Sequence, residues 1–212
     1  MISDADVERV TAAARGLPPA VGMYVEDDFV TNLLATVVDF QMHTNAVVKA
    51  LGHFKEHRLD EVRTMADLQT VMGRYPDDRD GNTDLAVYLW GYKLWTRAAM
   101  LRRLVGFFDS VGVRDQAGLK RWAERAEFRR DFEGRVKGLG PAVFQWLVMR
   151  QGVDTVKPDV HVHRFAEAAV GRRLSDADTV AVVVGAAHRL GMRAYQLDWA
   201  IWEHGRGGPA GV

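Results

Sequence analysis

The chain has no cysteine among its 212 residues. Disulfides, thiolate metal sites, cysteine-ligated iron–sulfur clusters and cysteine nucleophiles are therefore excluded together. No apolar run approaches the roughly 18 residues a membrane span needs, and the opening "MISDADVERVTAAARG" lacks an apolar stretch of signal-peptide length. A protein without membrane attachment, cytoplasmic or nucleoid-associated in a bacterium, is the expectation. There is no net charge either: 28 basic residues balance 28 acidic ones. A strongly basic nucleic-acid binder would look different, so any contact with nucleic acid must rest on local features. Alternating apolar and polar residues, the mark of strands, are almost missing.

What remains is a chain with 48% hydrophobic residues, enough for a packed core, patterned at helical spacing. Val30, Leu33, Leu34, Val37 and Val38 fall on one face, behind Asp27 or Asp28 as a cap. The spacing predicts further helices over 44–56, 59–73, 84–108, 113–123, 124–135, 141–151, 159–170, 176–190 and 193–204. Ser175 with Asp178 forms a capping-box pattern, and "RYPDDRDGNTD" reads as a loop.

Chemistry-bearing residues concentrate around "RVKGLGPAVFQWLVMRQG", residues 135–152. Gly138 and Gly140 permit backbone angles that other residues resist. Pro141 suits the first turn of a helix, where its missing N–H costs nothing. The stretch therefore reads as helix, tight hairpin, helix. Amides of the hairpin and of the second helix's first turn would offer a backbone-built anion site, with Lys137 beside it. The plainer reading is a helix–helix turn with a glycine C-cap. Residues 120–137 carry seven basic and four acidic side chains, either a solvated ion-paired face or a stripe facing phosphates. His161 and His163 lie two apart, a poor spacing for shared metal ligation on a helix, and no third ligand accompanies them. No metal and no cofactor is expected.

"VKGLGPAVFQW" followed by "KPDVHVHRF" resembles the helix-hairpin-helix DNA glycosylases, the superfamily of endonuclease III and the bacterial 3-methyladenine glycosylases. In that family an aspartate follows the hairpin by about twenty residues; Asp159 follows Gly140 by 19. "LLATVVDFQMHTNAVVKAL" is similar to the family's early helix pair, with a glutamine at the junction. The resemblance implies an all-α fold of two lobes. Residues 27–152 would form a central lobe ending in the helix-hairpin-helix at about 124–151, and residues 1–26 with 153–212 would form the second. It further implies a monomer acting on double-stranded DNA that contains a damaged base. Lys137, Gly138, Leu139, Gly140 and Ala142 would grip the strand, Gln41 would probe the duplex, and Asp159 would assist hydrolysis of the base–sugar bond. Pro158–Asp159 also reads as a helix start with Asp159 as its N-cap, and the two roles can coexist.

Bifunctional members carry a nucleophilic lysine two residues after the second glycine. Here that position is Ala142, which implies a glycosylase without lysine-based lyase activity. Trp146, His161, Tyr88 and Trp95 are candidates for a base pocket, where aromatic faces would suit a cationic alkylated base. Two alternatives stand beside this reading: a non-catalytic DNA-binding relative, and a helical protein-interaction module in which the hairpin is only a turn.

Overall fold

The computed structural model of the chain describes residues 2–18, 26–39 and 42–207. Among these residues every regular element is a helix. The chain divides into two compact units, one made of the described residues of 1–25 and 141–212, the other of 26–140.

Residues 26–140 are the central unit, and the unit built from both ends of the chain is the terminal unit. α1 (Asp4–Ala14) starts at a capping box in which Ser3 Oγ accepts from the Asp6 amide and Asp6 accepts from the Ser3 amide. In the central unit, α2 (Phe29–Val38) is capped by Asp28, whose Oδ1 accepts from the Thr31 amide at 2.6 Å. Every residue of α2 is buried, including Thr31, Asn32 and Thr36; Asn32 Nδ2 donates to Glu26 O and Thr36 Oγ1 to Asn32 O. The helix packs against α3 (Thr44–His57) and α6 (Trp95–Ser110). Between them come α4 (Met65–Gly73) and α5 (Arg79–Trp90), and α7 (Gln116–Ala123) follows.

Three expected helices differ. The stretch 59–73 becomes helical only from Met65, because Thr64 and Asp67 form a capping box there. The long aromatic helix over 84–108 is two helices. Gly91 adopts φ +75° and closes α5 through its amide to Val87 O, and a Cβ there would come 3.2 Å from the His53 ring. The aromatics on either side keep helical spacing and so hide the break. The segment 124–135 holds only one π-helical turn, Phe128–Phe132. Glu133 N–H reaches back five residues to Phe128 O at 2.7 Å, and Gly134 turns away at φ +72°. Phe132 is fully buried against Phe107 and Trp122, so ring packing rather than helical periodicity fixes this turn.

The terminal unit continues with α8 (Pro141–Met149), α9 (Val160–Val170), α10 (Asp176–Arg189) and α11 (Ala194–Gly207). α1 packs on α9 and α10, and α11 packs on both of these. The sequence places α8 in the central lobe; here it groups with the chain ends. The segment after it supplies the ties. Thr155 Oγ1 donates to Gln145 Oε1 at 2.9 Å, and the Lys157 ammonium lies 5.1 Å from the Trp146 ring centre.

Candidate active site around Asp159

Only one hairpin glycine needs to be glycine for its backbone. Gly138 has φ +95°, and a Cβ on it would come 2.9 Å from Met100 Cε. Gly140 has no such backbone angle, and a Cβ there would meet nothing within 4 Å. Both glycines are expected to be conformational; at Gly140 the distinctive feature is open space. Leu139 is 5% exposed, and its amide donates to Val136 O at 3.1 Å. That amide is used within the turn, so a strand would have to be held by others. Lys137 is exposed and Ala142 half-buried at the start of α8. The expected helix before the hairpin is replaced by the π-helical turn and the Gly134 bend.

Asp159 caps α9. Its Oδ1 accepts from the amides of His161 at 2.9 Å and Val162 at 3.1 Å. Among the described residues, Oδ2 takes part in no hydrogen bond, and the residue is half-buried. The backbone approaching it is tightly turned: the Asp159 amide donates to Lys157 O at 2.8 Å across Pro158. This is a γ-turn, which the fixed φ of proline suits.

The segment leading to this turn is pinned on both sides. Asp154, five residues before Asp159, has both oxygens occupied, Oδ2 by Arg193 Nε at 2.9 Å and Oδ1 by the Tyr195 amide at 3.2 Å. It anchors the start of α11. The Lys157 amide donates to Asp198 Oδ1 at 2.8 Å. Asp198 sits on α11, is 7% exposed, and was not singled out by its sequence context, a lone acid between Leu197 and Trp199. Burial pushes its carboxyl up to about 8; the Lys157 amide pulls the other way, and the nearby Asp159 raises it further. The only signal in the sequence was an acid at a position whose neighbours Leu197 and Ile201 define the apolar face of α11.

The aromatic candidates separate. The half-buried Trp146 already has two cations near its ring, Lys157 at 5.1 Å and Arg150 at 5.3 Å. His161 packs against α11, where a Cβ at Gly205 would come 2.6 Å from Nδ1. Glycine at 205 is what lets that ring in. Tyr88 belongs to an exposed network of the central unit. Its hydroxyl donates to Glu61 at 2.5 Å, its ring carries Arg58, and burial with Glu61 pushes the phenol up to about 12. Trp95 opens α6 and is 40% exposed. Gln41 lies outside the described residues.

His163 has both ring nitrogens engaged, Nε2 with Asp176 at 2.8 Å and Nδ1 with Thr179 Oγ1 at 3.0 Å. It ties α9 to α10. Among the described residues no three acidic or histidine side chains are grouped to hold a metal ion, and no helix is long and apolar enough to cross a membrane. In the stripe at 120–137, Arg130 is paired with Asp131 and Glu127, while Arg125 donates to Arg121 O. Part of that stripe is thus an ion-paired face. Two surface hollows of the central unit, about 420 and 360 Å³ in volume, include none of the residues around Asp159.

Residues 93–206 match the model of a family described as a domain of unknown function, DUF8548. The chain belongs to that family. The match runs from the loop before α6 to the end of α11. The DUF8548 stretch therefore contains the hairpin, Trp146, Asp159, His161 and Asp198, and leaves out Gln41 and Tyr88. The chain matches no curated protein and no solved structure.

Proposed function

We propose that the chain is a DNA N-glycosylase that hydrolyses the base–sugar bond of an extruded nucleotide with Asp159, and that it lacks lysine-based lyase activity. One observation supports this most. The Asp159 carboxylate is immobilised through one oxygen by two amides, and among the described residues its other oxygen has no hydrogen bond. Asp28, Asp78 and Asp115 also cap their helices through one oxygen; what sets Asp159 apart is the γ-turn across Pro158 that fixes the backbone leading to it.

In the proposed reaction the target base leaves the stack first, because its bond to the sugar is inaccessible within a duplex. As the bond breaks, the electron pair leaves with the base and positive charge grows on the sugar. The fixed carboxylate stabilises that charge from Oδ2 and accepts a proton from the water that adds to C1′. Fixing costs nothing at the moment of reaction, since the α9 amides already hold Oδ1. The strand would be held at the open face of Gly140 and by amides at the start of α8. The cations beside Trp146 argue against a positively charged base on that ring, so a neutral lesion suits Trp146 better than a cationic alkylated one.

The test uses duplexes carrying a methylated purine, uracil or 8-oxoguanine, followed by alkali cleavage. Asparagine caps helices about as well as aspartate. Asp159→Asn should therefore fold normally and lose base release. Full activity in that variant would show that another group does the chemistry. A wild-type protein that binds duplex but releases no base from any substrate would leave the second reading, a non-catalytic DNA binder. That reading is favoured by Asp159 already having a complete structural role as a cap.

A further inference from the structure

Lys157 has both main-chain groups committed. Its carbonyl closes the γ-turn with the Asp159 amide, and its amide is held by Asp198 Oδ1. The turn that aims Asp159 is thus tied to α11 through one side chain. We propose that Asp198 is the positioning residue of this site, fixing the Lys157–Asp159 turn on α11 and so setting the direction of the Asp159 carboxylate. The proposal rests on the glycosylase reading for what the aim achieves, but not for the clamp itself.

The surroundings explain why an acid in this place acts as a clamp with a pH limit. Asp198 lies between Leu197 and the buried Ala200 and Ile201 of α11. The charged groups acting on it are Lys157 and Asp159 from the turn. His161 of α9 faces the same side of α11 two turns further on, at Gly205. A neutral carboxylic acid suits this site, because an ionised one would lose its hydration beside another carboxylate. At neutral pH the acid form accepts from the Lys157 amide without adding a second charge next to Asp159. Ionisation on the alkaline side strengthens the bond to the Lys157 amide but leaves a buried charge short of water, and that larger cost opens the turn.

The experiment compares the full-length wild type with Asp198→Asn and Asp198→Ala from pH 5 to 9.5. Three readouts are taken: base release from the same duplexes, thermal midpoint, and tryptophan emission, to which Trp199 beside Asp198 contributes as well as Trp146. Asparagine can still accept from the Lys157 amide and cannot ionise. Alanine should lower base release by about a hundredfold through misplacement of the carboxylate, and asparagine should recover most of that loss. The alkaline fall of the wild-type rate should move up by at least about one pH unit in Asp198→Asn. An emission change near the same pH should be present in the wild type and absent from Asp198→Asn.

Superimposable pH profiles for wild type and Asp198→Asn, or wild-type rates in Asp198→Ala, would overturn the proposal. If no base is released by any form, the glycosylase reading fails on its own. Hydrogen exchange at the Lys157 and Asp159 amides then decides the clamp: faster exchange in the wild type than in Asp198→Asn as pH rises supports it, and equal exchange at every pH rejects it. If Asp198→Ala does not fold, the Asp198→Asn comparison carries the same decision.

Discussion

The two units are packed by different means. The central unit adds rings to an aliphatic interior: Phe54, Trp90, Phe108 and Phe132 are fully buried, and Phe107, Phe108, Trp122 and Phe132 meet edge to face or tilted, with centres 5.0 to 6.2 Å apart. The buried core formed by α1, α9, α10 and α11 contains only valine, alanine, leucine and isoleucine. Small side chains let those helices approach closely. A Cβ at Gly185 on α10 would come 3.1 Å from Val7 on α1, and one at Gly205 on α11 would press on His161. Large rings tolerate an irregular backbone such as the π-helical turn, because one ring fills the space of several aliphatic contacts. A close-packed aliphatic core instead fixes helix positions narrowly, which is what the role proposed for Asp159 requires.

The largest expected effect breaks this contrast on the aromatic side. Phe108→Ala should cost about 3–5 kcal/mol of stability, while Ile201→Val in the aliphatic core should cost about 0.5–1.5 kcal/mol; denaturant unfolding measures both.

Next is the acid inside the terminal unit. Asp198 is raised from an ordinary 3.8 to about 8 when folded. Between those values the folded chain holds a proton that the unfolded chain has released. Its contribution to stability is therefore complete below about pH 4 and is lost as pH rises to about 8. Relative to Asp198→Asn, the wild type should lose on the order of a few kcal/mol between pH 4 and pH 8, read from unfolding curves at successive pH values.

A smaller effect separates the two hairpin glycines. Gly138→Ala should cost about 1–2 kcal/mol, from the left-handed backbone and the Met100 contact, whereas Gly140→Ala should change stability by less than about 0.5 kcal/mol. If Gly140 is where a strand approaches, Gly140→Ala should still weaken duplex binding, which a titration at fixed salt would show. The smallest effect tests the cap: Asp159→Ala should cost about 1 kcal/mol and Asp159→Asn only a few tenths, measured as shifts in denaturation midpoint.

Much of the helical architecture was legible because its signals are local. Asp28 before an apolar run, Ser175 with Asp178, and Pro141 after the hairpin each mark a helix start by a hydrogen bond or a backbone angle within four residues. The missed breaks had signals of the same kind that stronger periodicity masked, Thr64 with Asp67 and Gly91 between aromatics. The site was half legible. Asp159 has a proline before it and a helix after it. Asp198 has neither, and its meaning comes from a main-chain amide 41 residues earlier in the chain.

By itself the sequence determined that the chain is helical, where most helices begin, and that Asp159 stands at the head of one. Those outcomes follow from propensity, capping and periodicity, which act over a single turn. Only the tertiary structure decided that α8 joins the chain ends, that Gly140 opens onto empty space while Gly138 does not, and that a buried acid on the last helix holds the turn before Asp159. Each of these depends on which distant side chain or amide arrives at a given point, and burial, the quantity that changes an acid's behaviour, exists only once the helices have packed.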